Sequence, residues 1–354
     1  MSVSVQIVAT EARAGDTVFM RTLKLESLFS PEITRLWQSQ SGATGAEIVL
    51  VVPTFRRPDH LLQTLRSLQD QRSDKSFQVI VIENDADKRD GAAVAVPLFE
   101  AGYLQGQMIV AHEKGNCSAY NAGIHTALQS YPQLQWLLVI DDDEIADRNW
   151  LDRMIAQATR SGAHIVGGPQ MPLFSHPGTN RLETHPVFQP PYKESGEVAR
   201  LYSSGNLLLA RQVLERIAPP WFDPQFNFLG GGDSDLFERC AALGLKFAWC
   251  HEARVYETVP DRRLEADWIR ARSLRNGVIS TLVEKRRRSA QPLGNLRTFA
   301  KSAALLGASP FRASLDLIRT GSLNLASYRV YVALGRVLAH FGYQNEQYRQ
   351  PEKN

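Results

Sequence analysis

Cysteine is scarce in this chain of 354 residues: Cys117, Cys240 and Cys250 are the full complement, with no C-x-x-C spacing. They cannot build a disulfide framework, so a reducing compartment is the simplest expectation. Long apolar runs are missing too. No stretch of 18 apolar residues exists, and the N-terminus lacks the basic, apolar, small-residue order of a secretory signal. The expected location is therefore cytoplasmic. No G-x-x-x-x-G-K-[ST] loop occurs, which excludes a Walker-type ATPase. Internal repeats and low-complexity segments are absent. Net charge is only +3, but residues 261–354 hold 17 Lys and Arg against 7 Asp and Glu, which leaves the first 260 residues acidic. Such a basic tail suits an anionic membrane surface, nucleic acid or an acidic substrate.

What is present is the composition of an ordinary globular protein, 44% hydrophobic and 22% charged, of one large domain or two smaller ones. Short apolar runs at 47–54, 77–84, 107–111 and 136–141 read as strands buried on both faces. Helical patterns separate them, and this alternation predicts right-handed βαβ units around a mostly parallel sheet. Ligands bind beyond the carboxyl ends of such strands. Three polar clusters, Thr54 to Arg57, Glu83 to Asp85 and Asp141 to Glu144, are thereby expected on one rim. A further strand is predicted over 202–211, and a helix after Asp233 stopped by Gly244.

The run WLLVIDDDE crowds four carboxylates at the end of a buried strand. Like charges at that spacing repel and raise one another's pKa, so a compensating cation is expected nearby. A hard ion such as Mn²⁺ or Mg²⁺ takes few protein carboxylates and completes its shell with phosphate and water, which an Asp-x-Asp pair would serve. The alternative is that the acids favour the start of a following helix.

Six stretches stand in order between residues 46 and 290: VVPTFRRPDHLLQTLRSL, VIVIENDAD, NCSAYNAGI, LLVIDDDE, SSGNLLLAR and GGGDSDLFERCAALG. Together they resemble a family 2 glycosyltransferase of the GT-A fold, similar to bacterial exopolysaccharide transferases of the succinoglycan-biosynthesis type. The resemblance implies an α/β architecture: a Rossmann-like central sheet flanked by helices, with a C-terminal helical extension. Residues 1–45 are then an appended segment, 46–260 the catalytic domain and 261–354 the extension. It also implies a metal-dependent, inverting transfer of a sugar from a nucleotide diphosphate donor, a UDP-sugar, to a hydroxyl of a saccharide or lipid-linked acceptor. No nucleic acid is expected as a partner. A sugar-nucleotide pyrophosphorylase would share this chemistry, but an early G-x-G-T-R-like loop is lacking.

By resemblance Asp141 and Asp143 form the metal-binding pair, and Asp233 is the base that takes the acceptor proton, with Asp235 sharing that work. The other reading of Asp233 is an N-cap for the following helix. Pro53, Thr54 and Phe55 are implied near the nucleobase, Glu83 at its edge, and Arg56, Asp85, Asn121, Asp142, Arg272 and Arg275 as further donor contacts. Arg272 and Arg275 lie three apart, on one helical face, and could equally be solvated. His251 is a candidate metal ligand or a structural strand-end His. Trp221 is expected to stack on the acceptor or to pack in the core, and Asn206 is implied on the acceptor side. Two departures stand out: Gly232 replaces the acid usual before the base, and Tyr120 replaces a frequent Arg. They keep open a catalytically inactive saccharide- or nucleotide-sugar-binding protein. In the tail, KRRR at 285–288 and the pairs Arg312/Arg319 and Arg329/Arg336 fit amphipathic helices on the inner face of the membrane, or a helical subdomain packed on the core.

Overall fold

The computed structural model describes residues 29–39, 45–175, 182 and 184–344. Most of the appended segment 1–45 and the last ten residues lie outside them. The four apolar runs become β2 (Ile48–Thr54), β3 (Gln78–Glu83), β4 (Gly106–Ala111) and β5 (Trp136–Ile140). Every residue of β2, β3 and β4 is buried, because helices cover both sheet faces. Along β2 the alternating side chains part to opposite sides. Val49 and Val51 join a core with Tyr120 and Ile124 of α3 (Asn116–Ser130). Ile48, Leu50 and Val52 join another with Leu61 and Leu65 of α1 (Pro58–Gln69) and Phe99 of α2 (Asp90–Glu100). That second core also holds Trp150 and Met154 of α4 (Trp150–Ser161). Each fully buried aliphatic side chain contributes about 1.5–3 kcal/mol.

The nine-stranded sheet runs β1-β4-β3-β2-β5-β10-β7-β11-β9. Its outer members are β1 (Ile33–Gln38), β10 (Asn206–Ala210), β7 (Ile165–Gly167), β11 (Phe247–Trp249) and β9 (Gly196–Val198). β2, β3, β4, β5, β7 and β11 share one direction, and β1, β10 and β9 oppose it. The α/β expectation holds, with an antiparallel strand inserted at the centre. β1, inside the segment left unassigned from sequence, pairs along β4 and closes that edge. The predicted strand at 202–211 is shorter, starting at Asn206.

A second, three-stranded sheet joins β6 (Glu144–Ala146), β12 (Val255–Val259) and β8 (Gln170–Phe174) in the order β6-β12-β8. β5 ends at Ile140, so Asp141 to Asp143 occupy the turn between the two sheets rather than a continued strand. α4 starts only at Trp150, with Asn149 at its N-cap. The acids are therefore not caps of that helix.

After α5 (Arg211–Arg216) and α6 (Gly232–Ala242), the described residues continue into α7 (Ala266–Arg287), α8 (Gly294–Thr320) and α9 (Leu323–Leu338). α7 and α9 cross at backbone distance. A Cβ on Gly277 would meet the Val332 carbonyl at 2.1 Å, and one on Gly335 the Leu274 carbonyl at 2.0 Å. In the basic run at 285–288 the arginines are engaged within the protein, as the packed-subdomain alternative requires. Arg286 pairs with Asp223 and Asp235, Arg287 with Glu238 and Arg288 with Glu284. Arg336 is likewise buried against Glu284. Arg286 and Arg287 thus fasten the extension to the catalytic core, while Arg288 and Arg336 tie the extension together through Glu284.

Candidate active site

The turn at the tip of β5 is held from several sides. Thr54 Oγ1 donates to Asp142 at 2.8 Å and the Phe55 N–H at 3.3 Å. Thr64 Oγ1 spans the carbonyls of Asp142, at 2.9 Å, and Glu144, at 2.7 Å. Arg57 reaches Asp142 at 3.3 Å and Asp143 at 2.7 Å. The Tyr120 hydroxyl donates to Asp141, whose own N–H donates to Glu144 at 3.0 Å. Glu257 of β12 stands opposite Glu144 in the ladder and pairs with Arg263.

This concentration of acid is only partly offset. Burial first, then the charge of Asp143, pushes Asp141 up to about 7. Burial pushes Asp142 up to about 6 against the pull of Arg57. Glu144 and Glu257 are also raised, chiefly by burial, with neighbouring carboxylates adding to it. Buried carboxylates that repel one another leave room for a positive charge.

A cavity of about 1410 Å³ opens over this turn, and Asp141, Asp142, Asp143 and Glu257 line it. Asp233, in the first turn of α6, lines the same cavity. Its Oδ1 accepts from the Ser234 N–H at 2.7 Å. Burial raises its pKa, opposed by that hydrogen bond and by Arg272. Gly231 enters the helix at φ +96°, a conformation costly for other residues. At Gly232 a Cβ would lie 2.5 Å from Cys117 Sγ, so an acid before Asp233 would not fit. Tyr120, its ring 4.7 Å from that of Phe222 and tilted by 33°, gives Asp141 a neutral donor where a cation was the alternative.

Pro53, Thr54, Phe55 and Arg56 line the cavity, and so do Arg272 and Arg275 of α7. Arg56 lies over the Phe55 ring at 4.9 Å and pairs with Asp85. The other expected contacts are displaced. Glu83 is wholly buried, accepting the N–H groups of Asp85 at 2.9 Å and Gly91 at 2.8 Å, so it anchors the start of α2 instead of reading a base. Asp85 is enclosed by Arg56 and by the backbone of Asp87 and Lys88. Asn121 clamps Phe222 through both its N–H, at 2.9 Å, and its carbonyl, at 2.7 Å. Asp235 is taken by Arg239 and Arg286 and fixes α6 rather than sharing proton transfer.

Trp221 is in the core, donating from Nε1 to the Leu214 carbonyl at 2.9 Å. His251 is not at the cavity wall, and its backbone N–H donates to Ser195 Oγ at 2.7 Å. Asn206 is a buried strut. Its Oδ1 accepts from Trp150 at 2.8 Å, and its Nδ2 donates to Pro169 at 3.1 Å and Ala253 at 2.8 Å. Asn206→Ala is accordingly expected to cost about 3 kcal/mol of stability by stranding three buried groups, with acceptor KM unchanged. Thermal melts beside steady-state kinetics check this; an altered KM at full stability would restore Asn206 to the acceptor side.

Sequence reasoning placed Arg57 and Asn84 on the rim without giving either a role, and missed Glu257. Asn84 lines the cavity and accepts from the Gly115 N–H at 2.8 Å. For Arg57 the signal was its place just before the proline that opens α1.

The donor set at the cavity wall is hard oxygen: Asp141, Asp143 and Glu257. Among the described residues no group of three or more His, Cys, Asp or Glu is placed to hold a metal ion. The site thus fits an ion such as Mn²⁺ or Mg²⁺ that takes one or two carboxylates and fills its shell with phosphate and water.

Residues 49–218, close to half of the chain, match the profile "Glycosyl transferase family 2". The succinoglycan biosynthesis protein ExoM of Rhizobium meliloti (strain 1021) is 28% identical over 234 residues, 64% of this chain and 71% of that protein. Glycosyltransferase AglE of Haloferax volcanii is 22% identical over 207 residues, 58% of this chain and 64% of AglE. Among solved structures, the mannosyltransferase PcManGT from Pyrobaculum calidifontis, in complex with GDP-Man and Mn²⁺, superposes with a TM-score of 0.53. It is 14% identical, over 91% of this chain and 94% of that one, a likeness of GT-A fold. The strand-tip acids and the strands β3, β4 and β5 lie inside the segment that matches glycosyl transferase family 2, and this match, with the glycosyltransferases among its relatives, supports a glycosyltransferase enzyme.

Proposed function

We propose that this enzyme transfers a sugar from a nucleoside diphosphate donor, a UDP-sugar, to a hydroxyl of a saccharide or lipid-linked acceptor in cell-surface polysaccharide synthesis, with inversion. The observation that carries this reading is that Asp143 and Asp233, on different elements, line one cavity. Asp233 takes the proton of the acceptor hydroxyl as its oxygen attacks the anomeric carbon. The bond from that carbon to the diphosphate breaks on the other face, and the nucleoside diphosphate leaves. Thr54, Thr64 and Arg57 fix the acidic turn so that nothing there need reorganise during transfer. Arg272 and Arg275 supply a cationic wall toward the diphosphate. Asp143, with Asp141 behind it, would hold Mn²⁺ or Mg²⁺, which when bound neutralises the leaving diphosphate as a Lewis acid.

Nucleoside diphosphate release from a panel of nucleotide sugars, with a lipid-linked acceptor extract, tests this. Release that needs Mn²⁺ and stops with EDTA is expected. Saccharide or nucleotide-sugar binding with no release from any donor would establish the inactive binding protein instead.

A further inference from the structure

The faces of α8 are inverted for a helix in a bundle. The side turned inward carries Gly294, Thr298, Ser302 and Ser309, all buried. Leu296, Phe311 and Ile318 instead point outward, 59%, 71% and 80% exposed. A water-facing helix has the opposite order. At 3.6 residues per turn, Leu296, Phe299, Ala303, Phe311, Leu317 and Ile318 share an arc of about 120°. That arc holds no charged residue. Phe341 extends it, its ring 6.5 Å from that of Phe299.

Charge decides what covers this face. Arg297, Arg312 and Arg319 are exposed along one flank of α8, and the only acid of the helix, Asp316, is paired with Arg329. A symmetric contact between two copies would bring the same cationic flank near its counterpart with no exposed acid on the helix to offset it. An anionic lipid surface meets both features, accepting the apolar arc and attracting the flank. No helix among the described residues is long and apolar enough to cross a membrane, which leaves a helix lying in the interface.

We propose that α8 docks this protein on an anionic bilayer. Lys301 of α8, with Tyr328 and Arg336 of α9, lines the cavity that holds Asp233. The docked bundle is then a wall of the cavity, and, resting on the function proposed above, an acceptor held in the bilayer meets the site from that side.

The test uses the full chain and vesicles, and does not depend on catalysis. Co-sedimentation is expected with equal parts phosphatidylcholine and phosphatidylglycerol, weakening as salt rises, and not with phosphatidylcholine alone. Phe311→Glu/Ile318→Glu is expected to lower partitioning about tenfold or more with thermal unfolding unchanged, since both side chains are exposed. Arg312→Glu/Arg319→Glu removes the preference for anionic lipid. Wild-type protein that stays in solution with the mixed vesicles at low salt, or a double glutamate variant that binds as well, overturns the proposal. A wild-type dimer that Phe311→Glu/Ile318→Glu makes monomeric, without vesicle binding, shows that a second copy covers this face.

Discussion

Asp233→Asn is expected to lower kcat by about a thousandfold while donor-induced thermal stabilisation persists, because a positioned base contributes roughly 10²–10⁴ in rate. Asparagine keeps the shape and the hydrogen bond from the Ser234 N–H but cannot take a proton. Asp233 is in no ion pair with Arg239 or Arg286, whose partner on this helix is Asp235, so the variant leaves the packing of α6 intact. The pH profile gives an independent reading. Burial raises the Asp233 carboxyl, and a base works only when deprotonated. As pH falls, kcat should therefore decline at a higher pH than an ordinary carboxylate would dictate, and the decline should vanish in the asparagine variant. Turnover close to wild type would remove Asp233 from the role.

The second large effect is on Asp143. Asp143→Asn should reduce kcat/KM at least about a hundredfold, close to 3 kcal/mol of transition-state stabilisation, and abolish the part of donor-induced stabilisation that needs Mn²⁺. Donor at a hundred times its Kd adds about 2.7 kcal/mol to a protein that binds it only when folded, so the loss is readable by thermal shift. The metal-free variant should melt higher than metal-free wild type. The charge of Asp143 contributes to the raised pKa values of Asp141 and Glu257, and its removal relieves that repulsion. Opposite signs for stability and activity separate this effect from simple misfolding. Retained Mn²⁺-dependent stabilisation would place the ion elsewhere.

Much of the architecture was legible because β2, β3, β4 and β5 announce themselves as apolar runs, and a strand buried on both faces needs helices on either side. β1 was not legible. ITRLWQ is a short edge strand whose partner, β4, lies some seventy residues on, and nothing local specifies that pairing. The insertion of β10 against β5 was equally silent, since residue composition carries strand propensity but not direction.

At the site, sequence located positions better than side-chain directions. The rim clusters meet as expected: Thr54 donates to Asp142, and Arg56 pairs with Asp85. Glu83, Asn121 and Asn206 sit in the right stretches, yet the surrounding backbone uses their polar atoms, a matter of tertiary packing that no motif encodes. Glu257 was invisible because only the small sheet brings β12 beside the acidic turn. The tail reads as amphipathic from sequence, but which face turned inward depended on small polar residues fitting against α9.

The glycine contact between α7 and α9 bears on how the cavity can open. With Gly277 against the Val332 carbonyl and Gly335 against the Leu274 carbonyl, the two axes are too close for one to slide past the other without a steric collision. Arg272 and Arg275 on one, and Tyr328, Val332 and Arg336 on the other, therefore keep a fixed arrangement relative to each other at the cavity wall. A bulky glycan then meets a wall whose two helices move, if at all, only together.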